Sequence, residues 1–427
     1  MKYEAVVFDL DGTLTDSAPG IMRCLDYSFE KMGIPAPEEK LLRRFLGPPL
    51  VKSFMEYCGM TEKDAICATQ AYRERYHIKG WRENRVYPGI RNLLAAFRAA
   101  RIRLSVATGK PADASEKILK AFFLAPYFEV LAGPGNNDHF AEKKDLIIRS
   151  LDGFSGKSVM VGDRASDILA ARELGMDSVA VLWGYGSKEE LEAANPTYLV
   201  STADELCSVA GVNPVKKAGY FISLEGNDGC GKSTQVELLY SALQSLGLDV
   251  IKTREPGGSF VAEKIRSILL DRSNIGMQDM TEALLYAAAR AQHVRDVIEP
   301  ALEAGKVVLS DRYVDSSIAY QGAGRQLGME LVAGINAPAI GTCIPNLTVL
   351  LDIDAKEALR RRERAGETDR IEMLEDSFHL RVGEAYRKLL KDNPERIKRV
   401  DASGTPEEVA DRVLQLVCFG LSEAGLL

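Results

Sequence analysis

The chain has 427 residues, of which 46% are hydrophobic and 27% are charged, and its formal net charge is −7 at pH 7. Domains usually hold about 100–200 residues, so this length predicts two domains. The negative charge argues against a general nucleic-acid binder, which normally presents a basic face. We expect no membrane partner either, because no apolar run reaches the roughly 18 residues that a membrane span needs.

The first residues run directly into a short apolar strand and resemble neither a signal peptide nor a transit peptide, so we expect a cytoplasmic protein. Its seven cysteines are scattered without a CxxC pair, which gives little support to disulfides or a zinc site. With only four histidines, any metal is expected to be held by oxygen atoms. Magnesium is the metal that this composition favours.

Strand-length apolar runs alternate with helical patterns along nearly the whole chain. In the first half these runs occupy residues 3–8, 104–107, 128–132, 158–161 and 178–182. In the second half they occupy residues 220–224, 249–253, 306–310, 347–352 and 397–400. Such alternation is typical of α/β folds, so we predict two domains that each contain a doubly wound parallel sheet.

Two interruptions suggest the domain organisation. About residues 16–87 show only helical patterns and are too many for a loop, which predicts an inserted α-helical subdomain. A Gly/Pro/Lys-rich stretch predicts a linker at residues 213–218, between domains at 1–212 and 219–427. Near the end, Thr405, Pro406 and Glu408 form a capping-box pattern that predicts a C-terminal helix.

Polar residues follow several strands of the first half. Asp9 and Asp11 come just after the first strand and Gly12 permits a sharp turn, although this pair alone is equally consistent with a helix cap. The later positions of this kind are a hydroxyl, two adjacent lysines and two aspartates: Thr108, Lys143, Lys144, Asp163 and Asp167. Open α/β sheets bind ligands outside the carboxyl ends of their strands, so these residues predict one site.

In this order the motifs resemble those of the haloacid dehalogenase superfamily, over about residues 1–205. The resemblance implies a Rossmann-like core, a helical cap at about residues 16–87, and Mg²⁺-dependent hydrolysis of a phosphate monoester through an aspartyl phosphate. It implies Asp9 as the nucleophile and Asp11 as the acid and base. Thr108 and Lys143 would bind phosphate oxygens, with Lys144 as the alternative lysine.

By the same resemblance, Asp9, Asp163 and the backbone of Asp11 would hold one Mg²⁺. Asp167 would either orient Lys143 or lie next to the metal ligands. The segments 16–20, 47–49 and 183–186 are similar to the branch that contains phosphoglycolate phosphatases and small nucleotidases, with the nucleotidases as the closer match. The segment 47–49 is equally consistent with a turn between cap helices. The substrate stays open.

The second half opens with a glycine-rich phosphate loop. Residues 226–233 fit the pattern G-x-x-x-x-G-K-[ST] after a strand, and apolar residues at helical spacing follow up to Gly247. In such loops the backbone N–H groups bind phosphates, while Lys232 reaches the β- and γ-phosphates and Ser233 binds Mg²⁺. The predicted ATP-binding residues are Gly226, Asn227, Asp228, Gly229, Cys230, Gly231, Lys232, Ser233 and Thr234.

From about residue 219 to the end, the sequence resembles bacterial thymidylate kinases. The resemblance rests on residues 253–258, 284–290, 311–313 and 316–322. It implies phosphoryl transfer from ATP to dTMP. The dTMP-binding residues implied are Asp228, Arg254, Tyr286, Arg290, Arg312, Tyr320 and Gln321, with Tyr286 stacked on the base, Arg290 bonded to it, Arg312 on the acceptor phosphate and Tyr320 excluding a 2′-hydroxyl.

A basic run at residues 360–370 is usually a solvated helix face, but here it resembles the family's mobile lid. The catalytic arginine would be Arg364 or Arg362, which stabilises the transferring phosphoryl group. The family also implies a homodimer through the second half. Two alternatives stay open: one half serves only as a nucleotide-sensing or structural module, or the kinase acts on another deoxynucleoside monophosphate.

Overall fold

The computed structural model describes residues 1–47, 50–135, 142–214, 218–353, 357–358, 360–361 and 374–427. They form two compact units, Met1–Val215 with Ser245–Gly247, and Lys216–Gln244 with Leu248–Leu427. The boundary falls within the stretch predicted as a linker, of which residues 215–217 lie outside the described residues. Within the described ranges, no helix combines the length and the apolarity needed to cross a membrane.

The first unit is built on a six-stranded parallel sheet with strand order β5-β4-β1-β6-β7-β8. Its strands are β1 (Ala5–Phe8), β4 (Arg103–Ala107), β5 (Val130–Ala132), β6 (Ser158–Gly162), β7 (Asp177–Val181) and β8 (Tyr198–Val200). All five predicted strands are confirmed to within about two residues. The edge strand β8 was missed because its apolar run is limited to Tyr198–Val200 between the polar residues Thr197 and Ser201, whereas the equally short β5 is extended in sequence by the apolar Phe128.

Helices flank this sheet and fill the insertion. Those of the insertion are Ala18–Met32, Glu39–Leu42, Leu50–Cys58 and Glu62–Ile78. The others are Ile90–Ala99, Ala112–Ala121, Lys143–Leu151, Ala165–Glu173, Lys188–Ala193 and Ala203–Ala210. The prediction of helices alone for residues 16–87 was incomplete, because the insertion leaves and re-enters the sheet through a two-stranded antiparallel ribbon of β2 (Thr15–Asp16) and β3 (Arg85–Val86).

The second unit contains a five-stranded parallel sheet with strand order β10-β11-β9-β12-β13. The strands are β9 (Tyr220–Glu225), β10 (Val250–Arg254), β11 (Val307–Asp311), β12 (Leu347–Asp352) and β13 (Ile397–Asp401), which confirms the five predicted runs. The helices are Lys232–Ser245, Phe260–Leu270, Asp279–His293, Glu299–Glu303, Val314–Ser317, Met329–Ile340, Asp376–Asp392 and Pro406–Glu423. The segments Val294–Ile298 and Ile318–Gly324 are π-helical.

Two helix predictions follow directly from capping chemistry. Thr405 accepts a hydrogen bond from the Glu408 backbone, and the Glu408 side chain returns one to the Thr405 backbone, so the helix Pro406–Glu423 begins with the expected capping box. The helix after the phosphate loop ends before Gly247, whose φ of 77° is left-handed. Both predictions are confirmed.

The central strand of each sheet is the one that leads into the predicted site. All four residues of β1 and all six of β9 are buried. Each is hydrogen-bonded to a parallel strand on both sides, with β1 between β4 and β6 and β9 between β11 and β12. Residues that follow these strands are therefore held between neighbouring strand ends.

Candidate functional sites

In the first unit, three carboxylates and one ammonium group meet at the ends of β1 and β6. The Lys143 Nζ atom lies 2.7 Å from Asp9 Oδ1 and 2.7 Å from Asp167 Oδ1. Carboxylate oxygens of Asp9, Asp163 and Asp167 all lie within 4.8 Å of one another. The structure thus brings together four of the residues that the sequence assigned to one site.

Burial makes this cluster electrostatically unusual. It raises the pKa of Asp9 to about 6, although the Lys143 ammonium opposes the shift. Burial, together with the charges of Asp9 and Asp167, raises the pKa of Asp163 to about 8. Burial lowers the pKa of Lys143, but the two carboxylates outweigh it, so the net direction is upward. One ammonium group facing three carboxylates leaves a surplus of negative charge, which a cation would balance.

Two glycines allow the backbone to approach Asp163 closely. A Cβ atom at Gly12 would lie 2.2 Å from the Asp163 carboxylate, and one at Gly184 would lie 2.3 Å from Asp163 Cβ. Thr13 Oγ1 donates a hydrogen bond of 3.1 Å to Asp163, and the Tyr185 backbone N–H donates one of 2.7 Å. These contacts hold the carboxylate in place before any ligand binds.

Asp11 lies beside this cluster but has a different partner. Its Oδ2 atom is 2.5 Å from Lys110 Nζ, whereas its Oδ1 atom is buried without a hydrogen bond among the described residues. Lys110 also lies 5.2 Å from the ring centre of Tyr76, which belongs to the inserted helix Glu62–Ile78. Thr108 is buried at the end of β4, where its hydroxyl accepts a hydrogen bond from the Lys110 backbone.

The two candidate lysines occupy different places. Lys143 points into the cluster, whereas Lys144 is 40% exposed and pairs with Glu142 and Glu173. The helix Lys143–Leu151 buries Leu146 and Ile147, three and four residues after Lys143. Lys143 therefore shares the buried face of its helix, a periodicity that the sequence already contained.

In the second unit, the phosphate loop wraps the end of β9. Gly226, Gly229 and Gly231 all have positive φ, which lets the loop turn tightly into the helix Lys232–Ser245. Lys232 Nζ donates hydrogen bonds of 3.0 and 2.8 Å to the carbonyl oxygens of Gly226 and Asn227. The ammonium group is thus held over the loop.

Beside this loop is a cleft of about 1230 Å³ within the second unit. Its lining includes Asp228, Gly229, Cys230, Gly231, Lys232, Ser233, Thr234, Arg254, Tyr286, Arg290, Arg312, Tyr320 and Gln321. The predicted loop residues from 228 onward and all the predicted acceptor residues therefore share one cavity. Gly226 and Asn227 lie outside its lining.

Charged groups meet where the loop faces the rest of the cleft. The Arg312 guanidinium pairs with the Asp228 carboxylate and donates to the Gly226 carbonyl at 3.1 Å. Tyr320 donates its hydroxyl to the other Asp228 oxygen at 2.9 Å. Burial raises the pKa of Asp228, but Arg312 and Lys232 outweigh it and the net direction is downward. An anion that entered here would compete with Asp228 for Arg312.

Arg290 is almost fully buried and is held by four hydrogen bonds. It pairs with Glu255 at 2.7 Å and donates to Ser317, Asn336 and the Tyr313 carbonyl. A guanidinium has five N–H groups, so these bonds within the described chain leave one N–H on Nη2 for a ligand. Tyr286 lies one turn earlier on the same helix, Asp279–His293, and lines the same cleft.

The remaining predicted residues have more varied positions. Arg254 pairs with Glu263 at 3.1 Å at the rim of the cleft. Arg361 bonds to Glu357 at 3.1 Å and also lines the cleft. The two predicted catalytic arginines, Arg362 and Arg364, lie outside the described residues.

Sequence reasoning missed several residues of both sites. Asp311 ends β11 and accepts a hydrogen bond of 2.9 Å from the Ser233 hydroxyl. Its position at a strand end beside the phosphate loop was a usable signal. Other missed residues contact site residues that are distant in the sequence, and no local sequence pattern predicts such pairs. They are Lys110, Glu255 and Glu282.

The buried carboxyl of Glu225 gives a pH prediction. Burial and the Asp315 charge raise its pKa from an ordinary 4.5 to about 7. The folded state then holds this proton where the unfolded chain has lost it, so stability falls as pH rises from about 4.5 to 7. We expect the free energy of unfolding of the wild-type chain, measured by calorimetry, to fall between pH 5 and pH 8. This fall should exceed that of Glu225→Gln by on the order of 1–3 kcal/mol. Equal pH slopes would contradict the assignment.

Comparison with known families matches each unit separately. Residues 224–413 match the family model described as thymidylate kinase. Residues 6–181 match the family model described as haloacid dehalogenase-like hydrolase. Both matches agree with the resemblances inferred from the motifs.

Curated relatives match about half of the chain. The thymidylate kinase of Lactobacillus delbrueckii subsp. bulgaricus is 48% identical over 202 residues, which cover 47% of this chain and 95% of the relative. That of Oenococcus oeni is 48% identical over 204 residues, covering 47% and 96%. The crystal structure of a predicted phosphatase from Clostridium acetobutylicum is 39% identical and covers 49% of this chain and 99% of that chain, with a TM-score of 0.46.

Proposed function

Because the chain belongs to the thymidylate kinase family through its second half and its first half matches the family model described as haloacid dehalogenase-like hydrolase, we propose a bifunctional enzyme. The second half would transfer the γ-phosphoryl group of ATP to dTMP, giving dTDP. The first half would hydrolyse a phosphate monoester through an aspartyl phosphate. We propose domains at residues 1–212 and 219–427, joined by a linker at 213–218, with the inserted helices of about residues 16–87 as a cap.

One observation supports the kinase proposal: a single cleft is lined by both the phosphate loop from residue 228 onward and the predicted acceptor residues. Lys232 and the loop backbone would bind the ATP phosphates at one end. Arg312 would hold the acceptor phosphate, after exchanging its partner Asp228 for the ligand. Tyr286 and Arg290 would hold the base. Holding the two phosphates in one cavity provides most of what phosphoryl transfer requires.

The phosphatase proposal rests on the positions of Asp9 and Asp11. Asp9 would attack phosphorus with one carboxylate oxygen, so that the bond to the leaving oxygen breaks and the phosphoryl group is carried on Asp9. Asp11 would give its proton to the leaving oxygen, then take one from the water that hydrolyses the intermediate. Lys143, already bonded to Asp9, would bind a phosphate oxygen.

The residues present fit Mg²⁺ in both units. In the first, the buried carboxylates of Asp9 and Asp163 and the backbone carbonyl of Asp11 are oxygen donors of the kind that Mg²⁺ prefers. In the second, Ser233 and Asp311 supply a hydroxyl and a carboxylate in contact. When bound, the cation supplies positive charge that lets anionic reactants approach one another.

The experiment that tests the proposal uses the purified full chain. dTMP with ATP and Mg²⁺ should give dTDP and ADP, detected by chromatography, while other deoxynucleoside monophosphates should react more slowly. A panel of phosphate monoesters, nucleoside monophosphates included, should reveal phosphate release without ATP. Absence of dTDP formation would refute the kinase half of the proposal, and absence of phosphate release across the panel would refute the other half.

Replacing each adjacent lysine tests the first site separately. Lys143→Met should lower phosphatase kcat by about 10²–10³-fold, because a group aimed at developing charge is lost. Lys144→Met removes only exposed ion pairs and should change the rate less than about twofold. Steady-state kinetics of both variants shows which of the two lysines acts in the site. A larger loss of kcat in Lys144→Met than in Lys143→Met would assign that role to Lys144.

We also propose a homodimer formed through the second half, as is common in the kinase family. Equilibrium sedimentation of the full chain and of a chain ending at residue 212 would test this. Loss of self-association in the shorter chain is the expected result.

A further inference from the structure

Near Tyr286 and Arg290, the cleft is lined by Gln321, whose side-chain amide is hydrogen-bonded to a buried carboxylate, that of Glu282. Gln321 lies in the π-helical segment Ile318–Gly324, is 1% exposed, and lines the cleft. Its Nε2 atom donates a hydrogen bond of 2.9 Å to Glu282 Oε1. Gln321 has no other side-chain hydrogen bond within the described part of the chain.

Glu282 is suited to hold that amide in one orientation. It is fully buried on the helix Asp279–His293 and pairs with the Arg325 guanidinium at 2.9 Å. A carboxylate paired in this way accepts hydrogen bonds and donates none. The amide NH₂ of Gln321 must therefore face Glu282, because the reverse orientation would set the amide oxygen against the carboxylate. The amide oxygen Oε1 is left as an acceptor on the other side.

Gln321 and Arg290 are neighbours within the cleft. Arg290 donates to Ser317 at 3.1 Å, and Ser317 precedes Gln321 by four residues on the continuous helical stretch 314–324. Glu282, Tyr286 and Arg290 follow one another at four-residue intervals, so they lie on one face of their helix. This pocket wall thus presents one fixed donor, from Arg290, and one fixed acceptor, from Gln321.

We propose that Glu282 is a positioning residue that fixes Gln321 with its amide oxygen toward the cleft, and so sets which pyrimidine edge the cleft accepts. A neighbouring donor and acceptor are matched by a ligand edge with an adjacent C=O and N–H, as in a pyrimidine-2,4-dione. A 4-aminopyrimidin-2-one offers a ring nitrogen acceptor and an amine donor there, which leaves buried polar groups unpaired. The inference rests on the proposed kinase function and extends it to a residue that does not touch the substrate.

The test compares acceptor selectivity, not activity alone. Glu282→Gln keeps the side-chain volume but can either donate or accept, so it no longer fixes the Gln321 amide. We expect the ratio of kcat/KM for dTMP over dCMP to fall about tenfold in this variant. dUMP carries the same base edge as dTMP, so its kcat/KM should fall in parallel with that of dTMP. An unchanged dTMP-to-dCMP ratio would overturn the inference.

A matched control separates selectivity from simple loss of stability. Asp315 is another buried carboxylate that pairs with an arginine, Arg396, at 2.6 Å in the same unit. Asp315→Asn should lower the melting temperature but leave the dTMP-to-dCMP ratio within about twofold of wild type, since neither partner lines the cleft. If Asp315→Asn shifted the ratio as much as Glu282→Gln, a merely structural role would explain both.

Two further measurements keep the inference testable. If Glu282→Gln does not fold, Gln321→Met removes the acceptor without touching the Glu282–Arg325 pair, and the same fall in the ratio is expected. If wild type makes no dTDP, the proposed kinase function fails. Calorimetric affinities for thymidine and deoxycytidine, measured in wild type and Glu282→Gln, then judge the inference: a ratio of affinities that does not change between the two proteins rejects it.

Discussion

Asp9→Asn should lower phosphatase turnover by at least about 10⁴-fold, because an amide cannot serve as the nucleophile that carries the phosphoryl group. The change is nearly isosteric and leaves Lys143 with its second partner, Asp167. The local fold should therefore persist. The measurement is phosphate release from the best substrate of the panel, compared with dTDP formation by the same preparation.

Kinase turnover serves as the internal control for Asp9→Asn. It should stay within about twofold of wild type, since Asp9 and the cleft belong to different units. A parallel loss of both activities would argue against independent sites. Residual phosphatase activity near the wild-type rate would remove Asp9 from the mechanism.

Lys232→Ala should lower kinase kcat by about 10²–10³-fold, because the ammonium group held over the phosphate loop is lost. The buried stem of this lysine also packs at the loop, so binding of ATP should weaken as well. The measurement is dTDP formation at saturating ATP, together with the affinity for ATP from calorimetry.

Lys252→Ala is a suitable comparison for Lys232→Ala. Lys252 also lines the cleft, but it pairs with the exposed Glu237 at 2.6 Å. Its loss should change kcat less than about threefold. A Lys232→Ala enzyme with wild-type kcat would overturn the phosphate-loop assignment, whatever the comparison variant does.

Much of the fold follows from short-range sequence signals. Ten of the eleven strands of the two parallel sheets appear as apolar runs. The signal is strongest in central strands such as β1 and β9, which are buried on both faces. The capping box at Thr405 and the glycine loop at residues 226–231 follow from chemistry within a few residues. The ribbon of β2 and β3 could not be predicted this way, since two-residue strands have no periodicity.

In the two candidate sites too, some residues could be predicted from local sequence and others could not. Residues at the ends of strands, such as Asp9, could be placed because parallel strands end at a common edge. The partners that hold them could not, because they come from distant parts of the chain. Lys110 reaches Asp11 across 99 residues, and Glu255 reaches Arg290 across 35. Only the fold brings such pairs together.

Tyr185 gives the first unit a mechanical property. Its backbone N–H bonds to Asp163, while its phenol oxygen accepts hydrogen bonds of 2.7 and 3.0 Å from the backbone N–H groups of Ser17 and Ala18, at the start of the first inserted helix. The two strands of the ribbon connect the insertion to the rest of the unit, so a rotation of the insertion would turn about them. The Tyr185 hydrogen bonds add a third, non-covalent connection. A rotation of the insertion must therefore either break the bonds to Ser17 and Ala18 or displace Asp163.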